Sequence, residues 1–172
     1  MSTINVVTLF QPFLQFLSTL HEDHELAMLN LSATKLLIAR MSKERVPIEL
    51  ICYDVSKTAS STTESKNFEH LRGLSKFDSY MVPPEVHQAF KFNKSAPIAG
   101  DKVDIFQIGV LMFIARYKRQ PFVEATIVDP IYRLIVEEKF KNVSRELLTS
   151  CHNPEDDDAF LSLLLQMMHP NP

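Results

Sequence analysis

The sequence predicts a mainly α-helical domain with one small β-hairpin, and three features of the chain lead to this fold class. Apolar residues recur at steps of three and four along residues 4–21, which is typical of a helix with one buried face. The stretch 101–118, DKVDIFQIGVLMFIARYK, is apolar almost all round, and such a helix is normally buried at the centre of a larger body. Two short apolar stretches, 26–40 and 46–55, are separated by the polar segment 41–45, so we expect them to pair as a hairpin.

The composition is that of one ordinary globular domain of 172 residues, with 45% apolar and 23% charged residues. Eighteen basic and 21 acidic residues give a net charge of -3 without a basic stripe, so nucleic acid is not indicated as a partner. Cys52 and Cys151 form neither a CxxC pair nor a metal-ligand spacing, which indicates a reduced, intracellular setting, and we expect a cytoplasmic protein. The longest apolar run, 103–115, is too short to cross a bilayer, and the N-terminus lacks the features of a signal peptide.

The first helix is expected to bury one side against the core. Pro12 lies inside the pattern and predicts a late start or a kink. The buried side is expected to contain Val7, Phe10, Leu14, Leu17 and Leu20, widened by Phe13 and Phe16.

The middle of the chain is expected to be irregular. Residues 56–79 begin with SKTASSTTESK, a small, polar and hydroxyl-rich composition that is typical of a loop. Phosphorylation of the run at 60–63 and a plain loop are equally consistent with this composition. Pro83 and Pro84 then interrupt regular structure before a short helix that starts at Glu85.

Two further helices are predicted in the last third of the chain. In DPIYRLIVEEKF, Asp129 is a good N-cap and Pro130 occupies the first helical position. Asn153 is expected to cap a last helix that opens at Pro154, where the acidic run 155–158 suits the positive end of the helix dipole. The stretch AFLSLLLQMM is expected to supply the buried face of this helix.

Five stretches, in this order, resemble landmarks of the C-terminal lobe of a eukaryotic protein kinase. LAMLNLSATKLLI at 26–38 resembles the catalytic loop, usually xxHRDLKPENLLL, and IELICYDVSK resembles the strand leading into DFG, usually xKLIDFGLSK. SYMVPPEV resembles the end of the activation segment, usually xYMAPEV. DKVDIFQIGVLMFIARYKRQPFVEATIVDPIYRLI and LSLLLQMMHPNP resemble the buried central helix with its following segment and the closing helix, and are most similar to calmodulin- and calcium-dependent serine/threonine kinases.

The resemblance covers nearly the whole chain and implies a fold and a domain organisation. Residues 1–172 are expected to form a partial kinase-like domain, the C-terminal lobe alone, with the N-terminal nucleotide lobe absent. Its parts would be a catalytic-loop equivalent at 26–38, a DFG-strand equivalent at 46–57 and an activation-segment equivalent at 56–86. The fold class is therefore mainly α, from an α+β family.

The resemblance also implies that the working residues of the catalytic loop have been replaced. Asn30 occupies the position of the catalytic aspartate, and an amide cannot act as a general base near neutral pH. Ser32 replaces the loop lysine, and Lys35 replaces the asparagine that binds magnesium. Cys52 falls on the DFG aspartate, although a soft thiol is a poor ligand for magnesium. In an alternative alignment shifted by two residues, Asp54 stands in for the DFG aspartate.

Three structural positions of the family are retained. Asp104 matches the aspartate that anchors the backbone of the catalytic loop, and Gly109 matches a packing position. Glu85 matches a glutamate whose usual partner is an arginine just beyond HPNP, so we expect it to lack that partner or to pair with Arg116 or Arg119.

We therefore expect a catalytically inactive, kinase-like domain that binds no cofactor and acts through a protein partner, or a non-functional remnant. Apolar surface exposed by the missing lobe would favour a partner or a homo-oligomer. The alternative is a fragment of an ATP-dependent serine/threonine kinase that uses magnesium, with Asp54 as metal ligand. His21 and His24, three residues apart, could share a metal with a neighbouring carboxylate, but a solvated helix end explains them more simply.

Overall fold

The computed structural model describes residues 3–40, 48–52, 59–73, 78–92, 97–148 and 158–170, and these residues are mainly helical. The described α-helices are α1 (Thr3–Glu22), α2 (Ser65–Gly73), α3 (Pro84–Phe92), α4 (Gly100–Tyr117), α5 (Pro130–Val136), α6 (Phe140–Leu148) and α7 (Asp158–Met167). The described strands are β1 (Leu26–Ala27), β2 (Leu36–Arg40), β3 (Ile48–Cys52), β4 (Ala59–Ser60), β5 (Thr63–Glu64) and β6 (Ile98–Ala99). The predicted mainly α-helical class is confirmed.

The predicted hairpin is formed by β2 and β3, which pair antiparallel with Leu36 opposite Cys52 and Arg40 opposite Ile48. The segment that joins the two strands lies outside the described residues. Helix α1 packs against β3, so the hairpin is attached to the helical body. The other strands are two residues long and pair in antiparallel fashion as β1 with β4 and β5 with β6.

Helix α1 forms as predicted, but its buried side is rotated from the predicted one. Val7 and Phe16, which were assigned to the core, are exposed. The residues of α1 that are buried are Val6, Leu9, Phe10, Phe13, Leu17 and Leu20. Pro12 lies within the helix on its exposed side, as does Thr8, whose carbonyl oxygen would have accepted the missing N–H bond. Water can therefore hydrate that oxygen, and the helix continues through the proline.

The prediction that residues 56–79 form a loop is wrong in part, because residues 65–73 form α2. This helix buries Phe68 and Leu71, which are three residues apart and therefore share one face. Its buried Asn67 amide nitrogen donates to the carbonyl oxygens of Ser60, Thr62 and Ile98 at 2.8–3.0 Å. These bonds hold the β4 and β5 strands beside β6, and they depend on tertiary contacts that hydroxyl-rich composition does not reveal.

Helix α4 is the centre of the body, since it contacts both α1 and α7. The helix predicted over DPIYRLIVEEKF is shorter than expected: Asp129 caps α5 as predicted, but the helix ends at Val136. Glu138 then adopts a left-handed conformation with φ of 54°, and the separate helix α6 begins at Phe140. The predicted cap at 153–154 and the acidic residues 155–157 lie outside the described residues.

The main core joins α1, α4, α5, α6 and α7, and a second cluster packs α2 and α3 against the start of α4. The face predicted for AFLSLLLQMM is confirmed: Phe160, Leu161, Leu164, Leu165 and Met168 are buried. Among the described residues, no helix combines the length and the apolar character needed to cross a membrane.

Candidate functional site

The site is built around the carboxylate of Asp104, which is fully buried in the second turn of α4. Its Oδ2 accepts a hydrogen bond from the backbone N–H of Met28 at 2.8 Å, and its Oδ1 accepts one from Leu29 at 2.7 Å. The His21 ring Nε2 lies 2.9 Å from the same Oδ2 and completes the set of partners. A buried carboxylate needs such partners because its desolvation is otherwise costly.

Gln107 makes a second connection between α4 and the same loop. Its Oε1 accepts from the backbone N–H of Leu31 at 2.8 Å, while its Nε2 lies 3.3 Å from Leu29 O and 3.4 Å from Met81 O. Asp104 and Gln107 are three residues apart and therefore lie on one face of the helix. Together they hold the backbone of residues 28–31 by its polar groups.

The loop is held in a conformation that L-residues adopt rarely. Leu29 has φ of 56° and Glu25 has φ of 52°, both in the left-handed region. Leu29 is also fully buried, as is Leu31, so the loop is anchored by two apolar side chains on either side of Asn30. The carboxylate of Asp104 and the burial of these leucines offset the backbone strain at Leu29.

Residues 59–64 are tied to the same site through Ser61, which is buried. Its N–H donates to Glu25 O at 3.0 Å, its hydroxyl donates to His21 O at 3.2 Å, and its carbonyl accepts from Asp101 N at 3.0 Å. Ser61 is therefore a structural residue, and a kinase could not reach its hydroxyl without opening these contacts. The neighbouring Thr62 and Thr63 are exposed.

The residues that carry the predicted chemistry lie in the loop and between it and the adjoining end of the hairpin. Asn30 and Ser32 are half-buried, and the Ser32 hydroxyl lies 2.8 Å from the hydroxyl of Thr34. Lys35 ends the short 3₁₀ helix Ala33–Lys35 and directly precedes β2. Cys52 ends β3 opposite Leu36, so the backbone brings it close to Lys35, and Asp54 lies outside the described residues.

The functional groups at positions 30, 32 and 35 are an amide, a hydroxyl and an ammonium. None of these is a carboxylate, the ligand that magnesium prefers, and none is a general base suited to neutral pH. Metal clusters are also missing from the described part of the chain, where no three His, Cys, Asp or Glu residues come together. His21 turns towards Asp104 instead of pairing with His24, which is exposed.

Glu85 lies in the first turn of α3 and is half-buried. Burial raises the pKa of its carboxyl, and a hydrogen bond from its own backbone N–H opposes that effect. Within the described residues no ion pair involves Glu85, so the predicted pair with Arg116 or Arg119 is not formed. Arg116 instead donates from Nε to Thr3 Oγ1 at 3.1 Å and lies over the ring of Tyr117.

Gly109 lies where α4 packs tightly against α7. A Cβ at this position would lie 2.9 Å from Met167 Cβ and 3.2 Å from Met168 Cγ. The absence of a side chain therefore allows the two helices to pack closely, which is the packing role that the sequence indicated for this position.

Gln107 was not assigned a role from the sequence, and the interpretation of His21 as part of a solvated helix end is wrong, because its side chain is only 11% exposed and lies 2.9 Å from the Asp104 carboxylate. A signal for Gln107 exists, because it and Asp104 are the polar interruptions of an apolar run and share a helical face. His21 has no comparable signal, since its partner is 83 residues away in the chain. No protein-family model matches the chain, and a search of curated proteins finds no match either.

Proposed function

We propose that the chain is a catalytically inactive, protein-kinase-like domain, a pseudokinase C-terminal lobe, that acts by binding another protein. The observation that carries the proposal is the bonding of Met28 and Leu29 N–H to the Asp104 carboxylate. The kinase resemblance implies an aspartate of the central helix that anchors the catalytic-loop backbone, and Asp104 makes bonds of this kind. The resemblance itself depends on five short stretches of sequence.

The residues at positions 30 and 35 cannot supply the chemistry of phosphoryl transfer. The reaction needs a residue that accepts the substrate hydroxyl proton and metal ions that neutralise charge on the phosphates. Asn30 cannot accept that proton, and the ammonium of Lys35 would repel a metal cation at its position.

A protein partner is proposed because large apolar side chains are exposed on several elements. Phe92 on α3, Phe16 on α1 and Leu163 on α7 are examples. Self-association is the simplest form of such binding, and multi-angle light scattering across a concentration series measures it directly.

The first experiment tests whether the chain transfers phosphate. The purified chain is incubated with radiolabelled ATP, magnesium and several basic peptides, beside the variants Asn30→Ala and Asp54→Asn. We expect no turnover from any of the three proteins. Turnover by the unaltered chain that either variant abolishes would refute the proposal and favour the alternative of an active kinase fragment.

The second experiment separates an inactive domain from a non-functional remnant. Thermal unfolding is followed by circular dichroism with and without ATP and magnesium. We expect one cooperative transition whose midpoint nucleotide leaves unchanged. A broad, non-cooperative loss of helix would favour the remnant, and a nucleotide-dependent rise in the midpoint would favour the kinase.

A further inference from the structure

The loop between α4 and α5, residues 121–129, presents three aliphatic side chains to solvent. Val123, Ile127 and Val128 are 66%, 69% and 80% exposed. Phe122 in the same loop is buried and packs edge-on against Tyr132, with ring centroids 5.0 Å apart. The loop is therefore anchored to the core by Phe122, while its three aliphatic side chains face solvent.

This loop is held by its own hydrogen bonds. Asp129 accepts from Val123 N through Oδ2 at 2.9 Å, and through Oδ1 from Ile131 N and Tyr132 N at 2.9 and 3.0 Å. Asp129 N also donates to Thr126 O at 3.0 Å. The exposed side chains thus project from an ordered backbone, so that little conformational entropy is lost when they bind something.

The exposed side chains immediately beside the loop carry more positive than negative charge, although the whole chain carries a net charge of -3. Lys118 and Arg119 are exposed just before the loop, and Arg133 is exposed in α5 just after it. One exposed carboxylate, that of Glu137, lies one turn beyond Arg133, interacts with it and also pairs with Lys139. The two acidic side chains within the loop are less accessible: Asp129 is buried, and Glu124 is half-buried. Exposed aliphatic side chains flanked by exposed cations are complementary to a surface that is apolar beneath an anionic layer.

We propose that this loop binds the surface of an anionic lipid bilayer, with Val123, Ile127 and Val128 entering the headgroup region. Lys118, Arg119 and Arg133 would then interact with the lipid phosphates. Binding at such a surface increases with the buried apolar area and with the attraction between basic residues and anionic lipids. The inference does not depend on the proposed function, because it uses no residue of the Asp104 site.

A lipid surface suits the loop better than a protein partner does. A stable protein interface buries roughly 800 Å² on each side, much more than three side chains of one loop can supply. Protein interfaces also concentrate their binding energy in Trp, Tyr and Arg, whereas the tip of this loop is aliphatic. Shallow insertion into a bilayer needs only a few apolar side chains and nearby positive charge.

The test is sedimentation of the full chain with vesicles of phosphatidylcholine plus phosphatidylserine, and with vesicles of phosphatidylcholine alone. We expect binding to the anionic vesicles only, and its loss in the double variant Ile127→Asp/Val128→Asp. The matched control Val7→Asp/Leu163→Asp adds the same charges at exposed aliphatic positions of α1 and α7 and should bind like the unaltered chain. Lys118→Ala/Arg119→Ala should lower the partition coefficient roughly 30-fold, since each basic residue near an anionic surface contributes about a factor of five.

A second readout does not depend on charged variants. The chain contains no tryptophan, so Val128→Trp introduces a single fluorescent reporter at the loop. Its emission should shift to shorter wavelength when anionic vesicles are added, whereas Val7→Trp should show no shift. Circular dichroism of every variant checks that the fold is retained.

Three results would overturn the proposal. The first is no binding of the unaltered chain to anionic vesicles at low ionic strength. The second is binding by the loop double variant that equals binding by the unaltered chain, because charges outside the loop would then be responsible for the attraction to the vesicles. The third is a concentration-dependent self-association, measured by light scattering without lipid, that the loop double variant abolishes, because the loop would then be a protein-binding surface.

Discussion

Replacing Asp104 by asparagine tests whether one buried carboxylate holds the backbone at Met28 and Leu29. An amide of the same shape has one carbonyl oxygen to accept with, so one of the two N–H groups would face an NH₂ group instead of an oxygen. The carboxylate oxygens accept at 2.7 and 2.8 Å, which are distances typical of strong, charge-assisted bonds. The substitution therefore removes one such bond and leaves a buried donor unpaired.

The expected loss can be worked from these contacts. A buried donor without a partner costs about 1–3 kcal/mol, and a hydrogen bond to a charged group contributes about 1.5–3 kcal/mol. Leu29 adds strain of about 1–2 kcal/mol in its left-handed conformation, which the bond to Asp104 now offsets. Because these contributions overlap, we expect the free energy of unfolding to fall by about 3 kcal/mol. For a chain of this size that corresponds to a fall of about 6–12 °C in the melting temperature.

The assay is urea unfolding followed by circular dichroism, together with hydrogen exchange of the amides at residues 28 and 29. Asp101→Asn is the matched control, because Asp101 lies one turn earlier on α4 and, within the described part of the chain, its side chain accepts only from Lys102 N, at 2.8 Å. This control substitution should lower the free energy of unfolding by less than about 1 kcal/mol. Equal losses in the two variants, or unchanged exchange at residues 28 and 29 in Asp104→Asn, would refute the reasoning.

Three further predictions follow from burial and packing. Burial raises the pKa of the Glu85 carboxyl above 4.5, so the folded chain binds the carboxyl proton more tightly than the unfolded chain does, and the free energy of unfolding should fall as the pH rises from the unfolded-state pKa to the folded-state pKa. Glu85→Gln should abolish this fall in urea titrations across pH and should be more stable than the unaltered chain above that pH range. Gly109→Ala should lower the free energy of unfolding by about 1–2 kcal/mol, because the overpacking against Met167 exceeds the gain in helix propensity, and a raised melting temperature would contradict this. Val6→Ala should cost about 2 kcal/mol and Val7→Ala less than about 0.5 kcal/mol in the same assay, and equal losses would refute the assigned orientation of α1.

The long elements were predictable because their signals are local. The period of α1, the apolar run of α4 and the cap of α5 at Asp129 each depend on residues a few positions apart. The error at Val7 and Phe16 arose because α1 is apolar on more than one side, and only its neighbours decide which side is buried. The sequence also gave no sign that α5 ends at Val136, since Glu138 adopts its left-handed conformation without a glycine.

The middle of the chain was predicted less well because its order comes from distant contacts. Residues 56–64 have the composition of a loop, yet Ser61 is buried and bonded to three other segments. In the helix that follows, the amide of Asn67 joins the carbonyl oxygens of Ser60 and Thr62 to that of Ile98 in β6. Local composition cannot predict partners that lie 31 or 40 residues away.

By itself, the sequence determined helices α1, α3, α4, α5 and α7, the pairing of one hairpin and the kinds of side chain available at positions 30, 32 and 35, but neither α2 nor a separate α6. It also identified Asp104 and Gly109 as residues of special importance. Only the tertiary structure decided that Asp104 meets Met28, Leu29 and His21, that Glu85 has no ion pair among the described residues, and that Val123, Ile127 and Val128 face solvent together. The physical reason is that secondary structure follows from periodicity over a few residues, whereas hydrogen-bond partners, ion pairs and surfaces depend on which distant segments the packed core brings together.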